Sequence, residues 1–466
     1  MMKFFVFLLL CFQSIVLFAQ KQANNPPNII YILMDDLGIE EAAPYGNTIF
    51  KTPFLNKMAN EGMKFTKHYA GTSVCAPSRC ALMTGKHTGH CEVRGNRQME
   101  NGGQMPISAQ TVTVAEMLKQ AGYQTFLAGK WGLGTEGSTG EPTQQGFDGY
   151  YGFLDQVLAH NNYPEYLLRD GKKEYLRNKV IWEENKNSYS KGLGSYTPEE
   201  NKVAYANDLF TQEGLQFIDK QANKKPFFLY LAYTLPHNNG EAPTDIRFQS
   251  PTLAPYENEN WTPLEKNYAA TVSRMDTYIE QIMQKLKEKG IAENTIVFFS
   301  SDNGSTEDIP ARFAEKNKLK GFKRSPYEGG IRAPLLVWWQ GKIKGNSTSD
   351  LPTAHWDFLP TACELAGIQP PRGIDGISIV PTIFGKKQGK RKTEMYWEFH
   401  EKGGFQILQE GKYKLIYAVK KQIYELYDLA QDEGEKTNLV EKETKILEKM
   451  KQKMSKARTK SDYFNF

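Results

Sequence analysis

The first apolar feature of the chain is a run from Phe4 to Phe18, preceded by one lysine and followed by Ala19 and a polar stretch. This is the layout of a secretory signal peptide, and it is shorter than the about 20 apolar residues of a stable membrane span. Residues 1–19 are therefore expected to be removed and the mature chain to be periplasmic or secreted. Cys11 is not expected to carry a lipid, because Leu10 is bulkier than the residue such processing prefers.

Beyond the leader, short apolar runs alternate with amphipathic ones. "PNIIYILMDDLG" predicts a strand ending in two carboxylates, and "VTVAEMLKQAGYQTFLAGKWGLG" a helix, a glycine turn and a second strand. "KPFFLYLAYTLPH" predicts a third strand. "NYAATVSRMDTYIEQIMQKLKEKGIAENTIVFFSSDNG" gives a long helix, a glycine stop and a fourth, and "APLLVWWQG" a fifth. Apolar strands joined by helical crossovers predict an α/β fold, its mixed, mostly parallel sheet covered by helices on both faces.

The pattern changes after "FGKKQGKRKTEMYW", where basic residues flanking glycines read as a solvated linker or, alternatively, a contact for a polyanionic substrate. "EMYWEF", "GFQILQEG", "YKLIYA" and "YELYDL" then alternate as short antiparallel strands before a charged helix. The expected organisation is a main domain over 26–385 and a small α+β subdomain over 393–466. A net charge of +5 is small for 466 residues, so nucleic-acid binding is not indicated. Four cysteines outside the leader are too few for a disulfide scaffold. Cys80 and Cys91 could pair, and Cys363 in "FLPTACELAG" reads as a small core residue.

Asp35 and Asp36, Lys130, His237, and Asp302 with Asn303 all follow the C-terminal end of an apolar strand, the edge where open α/β sheets bind ligands. One shared site is implied. Its donors are oxygen-rich, without histidines at zinc-ligand spacing, so calcium, or secondarily magnesium, suits it better than zinc. Arg79, Lys130 and Lys323 add positive charge, so the pocket is expected to take a tetrahedral oxyanion.

"CAPSRCALMTG" matches the C-x-P-S-R-x-x-x-x-T-G signature of the type I sulfatases. "PNIIYILMDDLG", "AGKWGLG", "YTLPH", "SSDNG" and "LKGFKRSPYEGGIRAP" resemble that family's metal, lysine and histidine segments, and "ELYDLAQDEGEKTNL" its C-terminal signature. The resemblance covers nearly the whole mature chain. It implies an alkaline-phosphatase-like fold and hydrolysis of sulfate esters, with a sulfated glycan as the substrate class. It also implies that a dedicated maturation enzyme oxidises Cys75 to Cα-formylglycine. One oxygen of the hydrated aldehyde would attack sulfur, and the second would expel sulfate.

The roles carried over are these. Asp35, Asp36, Asp302 and Asn303 hold the cation, with the converted Cys75 completing the set. Arg79 holds the formylglycine, Lys130 reaches both the diol and the sulfate, and His237 and Lys323 lie by the leaving oxygen, with His237 as proton donor. One departure stands out, because Gly132 in "GKWGLG" occupies a position where the family often has a basic histidine. His160 in "LAHNNYP" is the candidate substitute, with a satisfied loop histidine as the alternative. His87 and His90 are expected to be structural, on the helix that the signature starts. Asn161 or Asn162 is a candidate to touch substrate, and Tyr163, Tyr166, Asn238, Asn239 and Trp261 are candidates to line a sugar subsite, with core or loop residues as the equal alternative. Two rival functions are a phosphohydrolase of the alkaline-phosphatase superfamily and an inactive glycan-binding relative.

Overall fold

The computed structural model describes residues 26–99, 103–184, 192–315, 317–391 and 393–466. The proposed leader, Cys11 and Lys392 lie outside them. Ten strands form one sheet, in the order 347–349, 63–65, 335–338, 295–301, 28–35, 227–236, 124–130, 149–153, 166–169 and 172–175. The five central strands, from Thr295–Ser301 to Gly149–Phe153, are parallel. Leu335–Trp338 pairs antiparallel with Thr295–Ser301, and Tyr166–Arg169 antiparallel with Gly149–Phe153, so antiparallel strands flank the parallel centre.

Central strands bury both faces, and Asn28–Asp35 shows how. Ile29, Tyr31 and Leu33 enter one hydrophobic cluster with Ala76, Leu82, Val114, Leu118 and Phe358, whereas Ile30, Ile32 and Met34 enter another with Phe210, Ile218, Tyr268 and Ile279. The period of two along the strand thus sorts its side chains between two helical layers. Burying each such large aliphatic side chain is worth about 1.5–3 kcal/mol.

The helices begin where the sequence supplies caps. Thr113 accepts from the Glu116 N–H and Thr262 from the Glu265 N–H, and each glutamate reaches back to its cap's backbone, starting Val114–Gln120 and Pro263–Glu288. The helix Cys75–Thr84 is different, because every one of its residues is buried. It ends at Gly85 in a left-handed conformation, φ 69°. His87 and His90 therefore lie in the loop past the helix and not on it, because glycine stops the helix first.

A separate four-stranded antiparallel sheet follows near the C-terminus, with strands Met395–Phe399, Phe405–Glu410, Tyr413–Ala418 and Ile423–Asp428, and helix Thr444–Met454 packs on it. It is tied to the main body beside the signature helix, where Trp397 Nε1 donates to the Ala70 carbonyl at 2.9 Å and Thr72 Oγ1 to the Glu398 carbonyl at 3.1 Å. Lys386, Lys387 and Lys390 of the basic connection are exposed, whereas Arg391 makes a two-pronged pair with Asp357. Cys75, Cys80, Cys91 and Cys363 are all buried free thiols, so Cys80 and Cys91 are unpaired here.

Candidate active site

The parallel strand ends deliver the site. Asp35 closes the first strand, and Asp36 follows in a left-handed conformation, φ 66°. Asp302 and Asn303 follow the neighbouring strand Thr295–Ser301, with the Asp302 N–H donating to the Met34 carbonyl at 3.0 Å. The signature helix starts at Cys75, which places its Sγ 3.4 Å from Asp35 Oδ1. One turn on, the fully buried Arg79 donates to Asp302 Oδ2 from Nε and Nη2 at 3.1 and 2.8 Å, and to the Lys130 carbonyl at 2.7 Å.

Lysines complete the cluster. Lys130 Nζ lies 2.6 Å from Asp35 Oδ2, and Lys323 Nζ 2.8 Å from Asp36 and 2.9 Å from His237 Nε2. His237 Nδ1 lies 2.5 Å from the Asn238 carbonyl. Only an N–H can pair with a carbonyl, so Nδ1 carries the proton and Nε2 accepts from Lys323. All nine of these side chains are buried.

The electrostatics follow from that crowding. Burial alone would raise Asp35, but Lys130, His237, Arg79 and Lys323 hold it well below the usual carboxylate range. Burial and the charge of Asp35 push Asp302 up to about 7 despite Arg79. Burial, together with Asp35, pushes the Cys75 thiol up to about 12, so Cys75 as a cysteine is not a thiolate nucleophile near neutral pH. Burial, with Lys323 next, lowers His237 and keeps it neutral.

Could these residues hold a cation? The ligand atoms of Asp35, Asp36, Cys75 and His237 all lie within 4.8 Å of one another. The buried Asn303 Oδ1 has no hydrogen-bond partner, while its Nδ2 donates to Asp36 Oδ1 at 2.6 Å. Three buried carboxylates beside an unpartnered amide oxygen make a hard, oxygen-rich donor set. They fit calcium or magnesium.

The residue at 132 is decided by its neighbours. Gly132 has φ 82°, and a Cβ built there would meet Gln156 Nε2 at 1.6 Å. Gln156 fills that space, 3% exposed, with neither amide atom hydrogen-bonded. Sequence reasoning missed it, because its only signal was its place four residues before His160. The ring of His160 stacks on His237, centroids 4.7 Å apart and planes at 13°, and its Nδ1 lies 3.0 Å from Glu241 Oε2. Several suggested sugar contacts are otherwise engaged. Asn161 donates to Ser195 and Thr197, Asn162 accepts from Asn207 and Thr234, Asn238 donates to Asp308 and Asn239 donates to the Ser195 carbonyl. Tyr163 is buried, and Trp261 stacks on Tyr256 and packs edge-on against Phe313. Tyr166 remains half-buried.

Residues 27–368 match the family described as sulfatase, and residues 321–460 the one described as N-sulphoglucosamine sulphohydrolase, C-terminal. The chain belongs to the sulfatase family. N-acetylgalactosamine-6-sulfatase of Homo sapiens is 33% identical over 380 residues, 78% of this chain and 66% of that protein, so the match spans about two thirds of the relative's length. Arylsulfatase A of Bos taurus is 28% identical over 468 residues, 92% of this chain and 86% of the relative. Among solved structures, Ps i-CgsB in complex with k-i-k-neocarrahexaose superposes with a TM-score of 0.77 at 25% identity, covering 95% of each chain.

Proposed function

We propose that this chain hydrolyses O-sulfate esters of a sulfated carbohydrate, with Cys75 converted to formylglycine and calcium held by Asp35, Asp36, Asp302 and Asn303. The observation that carries the reading is the placement of Cys75 at the start of a buried helix, in contact with Asp35 and among Arg79, Lys130 and Lys323. A group that burial keeps a thiol, set in an oxyanion-binding pocket, makes sense as the precursor of a different nucleophile. The formylglycine hydrate supplies one oxygen to attack sulfur and another to expel sulfate. The cation supplies charge neutralisation at the reacting oxygens.

The chain's own residues do the rest. Arg79 fixes Asp302 and the Lys130 backbone, so the ligand set is formed before substrate arrives. Lys130 and Lys323 bring fixed positive charge to the sulfate. The couple Lys323–His237 holds a proton at the leaving alcohol, with His237 Nε2 accepting from Lys323 Nζ. His160 takes the part of the base absent at Gly132. A proton on its Nδ1 is held by Glu241, which leaves Nε2 with a lone pair beside His237.

The sulfated glycan follows the similar proteins, which include N-acetylgalactosamine-6-sulfatase and, among solved structures, Ps i-CgsB in complex with k-i-k-neocarrahexaose. Export rests on the leader pattern of residues 1–19. Among the described residues, no helix is long and apolar enough to cross a membrane.

The test is to co-express the chain with a formylglycine-generating enzyme, weigh the peptide spanning Cys75, and assay sulfate and phosphate esters side by side. The expected result is a loss of about 18 Da at position 75 with turnover of the sulfate ester. Turnover with an unmodified Cys75 overturns the nucleophile, and preference for the phosphate ester overturns the reaction class.

A further inference from the structure

Lys323 is followed by Arg324, held in a left-handed conformation, φ 65°, by its N–H donating to the Ser73 carbonyl at 2.9 Å. Ser73 lies two residues before Cys75. Burial works against the charge on Arg324, while Glu401 favours it, and Cys75 and Asp36 contribute in the same sense. The guanidinium is therefore within electrostatic reach of the nucleophile position.

Its partner comes from the C-terminal region. Arg324 Nε donates to Glu401 Oε2 at 2.8 Å, two residues past the strand Met395–Phe399. An arginine–carboxylate pair made for stability alone is commonly two-pronged. This one is half made. Neither terminal nitrogen of Arg324 has a partner among the described residues, and Glu401 Oε1 is buried, in a residue 4% exposed, with no partner. Neighbouring contacts hold the loop against the site, since Lys402 pairs with Glu307 and Asn238 donates to Asp308.

The geometry points to Arg324 and Glu401 as a specificity-determining pair that binds free hydroxyls of the sugar ring carrying the scissile sulfate. The inference rests on the sulfated-carbohydrate reading and deepens it. A hydroxyl both donates and accepts, so it satisfies an unpaired guanidinium N–H and an unpaired carboxylate oxygen side by side. A second sulfate or a carboxylate would suit Arg324 but would face the negative charge of Glu401. The pair therefore selects a substrate that is unsulfated at the hydroxyls it touches. It also gives the C-terminal sheet a function, as the element that brings the acceptor across to the site.

The experiment uses the full, formylglycine-converted chain and two variants that preserve size, Glu401→Gln and Arg324→Lys. Each is assayed on 4-nitrophenyl sulfate, which has no sugar hydroxyls, and on a panel of hexose and hexosamine O-sulfates, with thermal unfolding as a check on folding. The expected result is that the ratio of kcat/KM for the preferred sugar sulfate to that for the aryl sulfate falls about tenfold or more, mainly through KM. An equal loss on both substrates assigns the pair to the nucleophile or the fold and overturns the inference, as does an unchanged ratio. A wild type that turns over aryl sulfate but no sugar sulfate also overturns it while leaving the sulfatase reading intact. A converted wild type inactive on every sulfate ester overturns the sulfatase reading itself.

Discussion

Two stacked histidine pairs occupy this molecule, each with a carboxylate partner. His160 lies on His237 with centroids 4.7 Å apart and pairs with Glu241; His87 lies on His90 at 4.3 Å, and both face Asp375. The second pair is tied into the fold. His87 Nδ1 accepts from the Gly89 N–H, Asp375 accepts from the His87 N–H and the His90 ring, and the His87 ring packs against Trp356 and Tyr396. In the first pair, His237 Nε2 meets Lys323 and Asp36 at the strand edge, and His160 Nε2 has no hydrogen-bond partner among the described residues. Equivalent side chains in equivalent stacks thus serve different ends. His90 Nε2 likewise has no hydrogen-bond partner among the described residues, so it is place that separates the pairs: packed against Trp356, Tyr396 and Asp375 the pair is a joint, and beside Lys323 and Asp36 at the strand edge it is available for chemistry.

The comparison breaks most sharply at the carboxylates. Asp302→Ala is expected to lower kcat/KM by about a thousandfold or more and to abolish bound calcium, measured by elemental analysis of the purified protein. An unchanged metal content would remove Asp302 from the ligand set. His160→Ala is expected to lower kcat about a hundredfold with little change in unfolding temperature, and Glu241→Gln less. His87→Ala should do the reverse, destabilising the fold by about 1–3 kcal/mol in denaturant titration while kcat per folded molecule is retained. Loss of activity in folded His87→Ala would erase the distinction.

Gly132→His tests whether a histidine can be held at position 132. With Gln156 in place the new side chain has no room and a left-handed backbone, so about 1–3 kcal/mol of stability should be lost. Adding Gln156→Ala should recover part of it, and strictly additive losses would show that the two positions do not compete.

Stability also depends on pH. Burial lowers His355 to about 3 and His87 to about 4, so both are neutral in the fold while the unfolded chain binds protons below about 6.5. Stability from these groups is complete above that pH and is lost as pH falls toward those values. The slope is about 1.4 kcal/mol per pH unit for each histidine within its window. His355 pairs with the hydroxyls of Ser78 and Ser300 and lies beside the ring of His68, and His355→Gln should flatten the acid limb of the unfolding curve.

Much of this was legible along the chain. The strand Asn28–Asp35 and the helix Pro263–Glu288 announce themselves by period, cap and stop, because their signals are local. The Asp-Asp, Asp-Asn, Lys130 and His237 positions could be placed at one edge, because parallel strands joined by crossovers put their C-terminal ends on the same side. Cys75 with Arg79 was legible through the resemblance of "CAPSRCALMTG" to a family signature, and in the structure one helical turn separates them. The helix end at Gly85 was not, because helical spacing carried on past it to His87.

Other features had no local signal. Gln156 and Gly132 are 24 positions apart in the sequence and compete for one space only after the sheet is built. Glu241 reaches His160, and Glu401 reaches Arg324, across separations of 81 and 77 residues. By itself the sequence determined the elements and the strand-edge chemistry, which follow from residue type and short-range spacing, and its resemblance to a family signature marked the segment at Cys75. Only the tertiary structure decided which histidine pair lies at the charged strand edge, which asparagines are spent on the fold, and where an arginine and a glutamate are left half paired. Those outcomes depend on which distant groups reach one another first, and on which buried polar atoms are left without a partner.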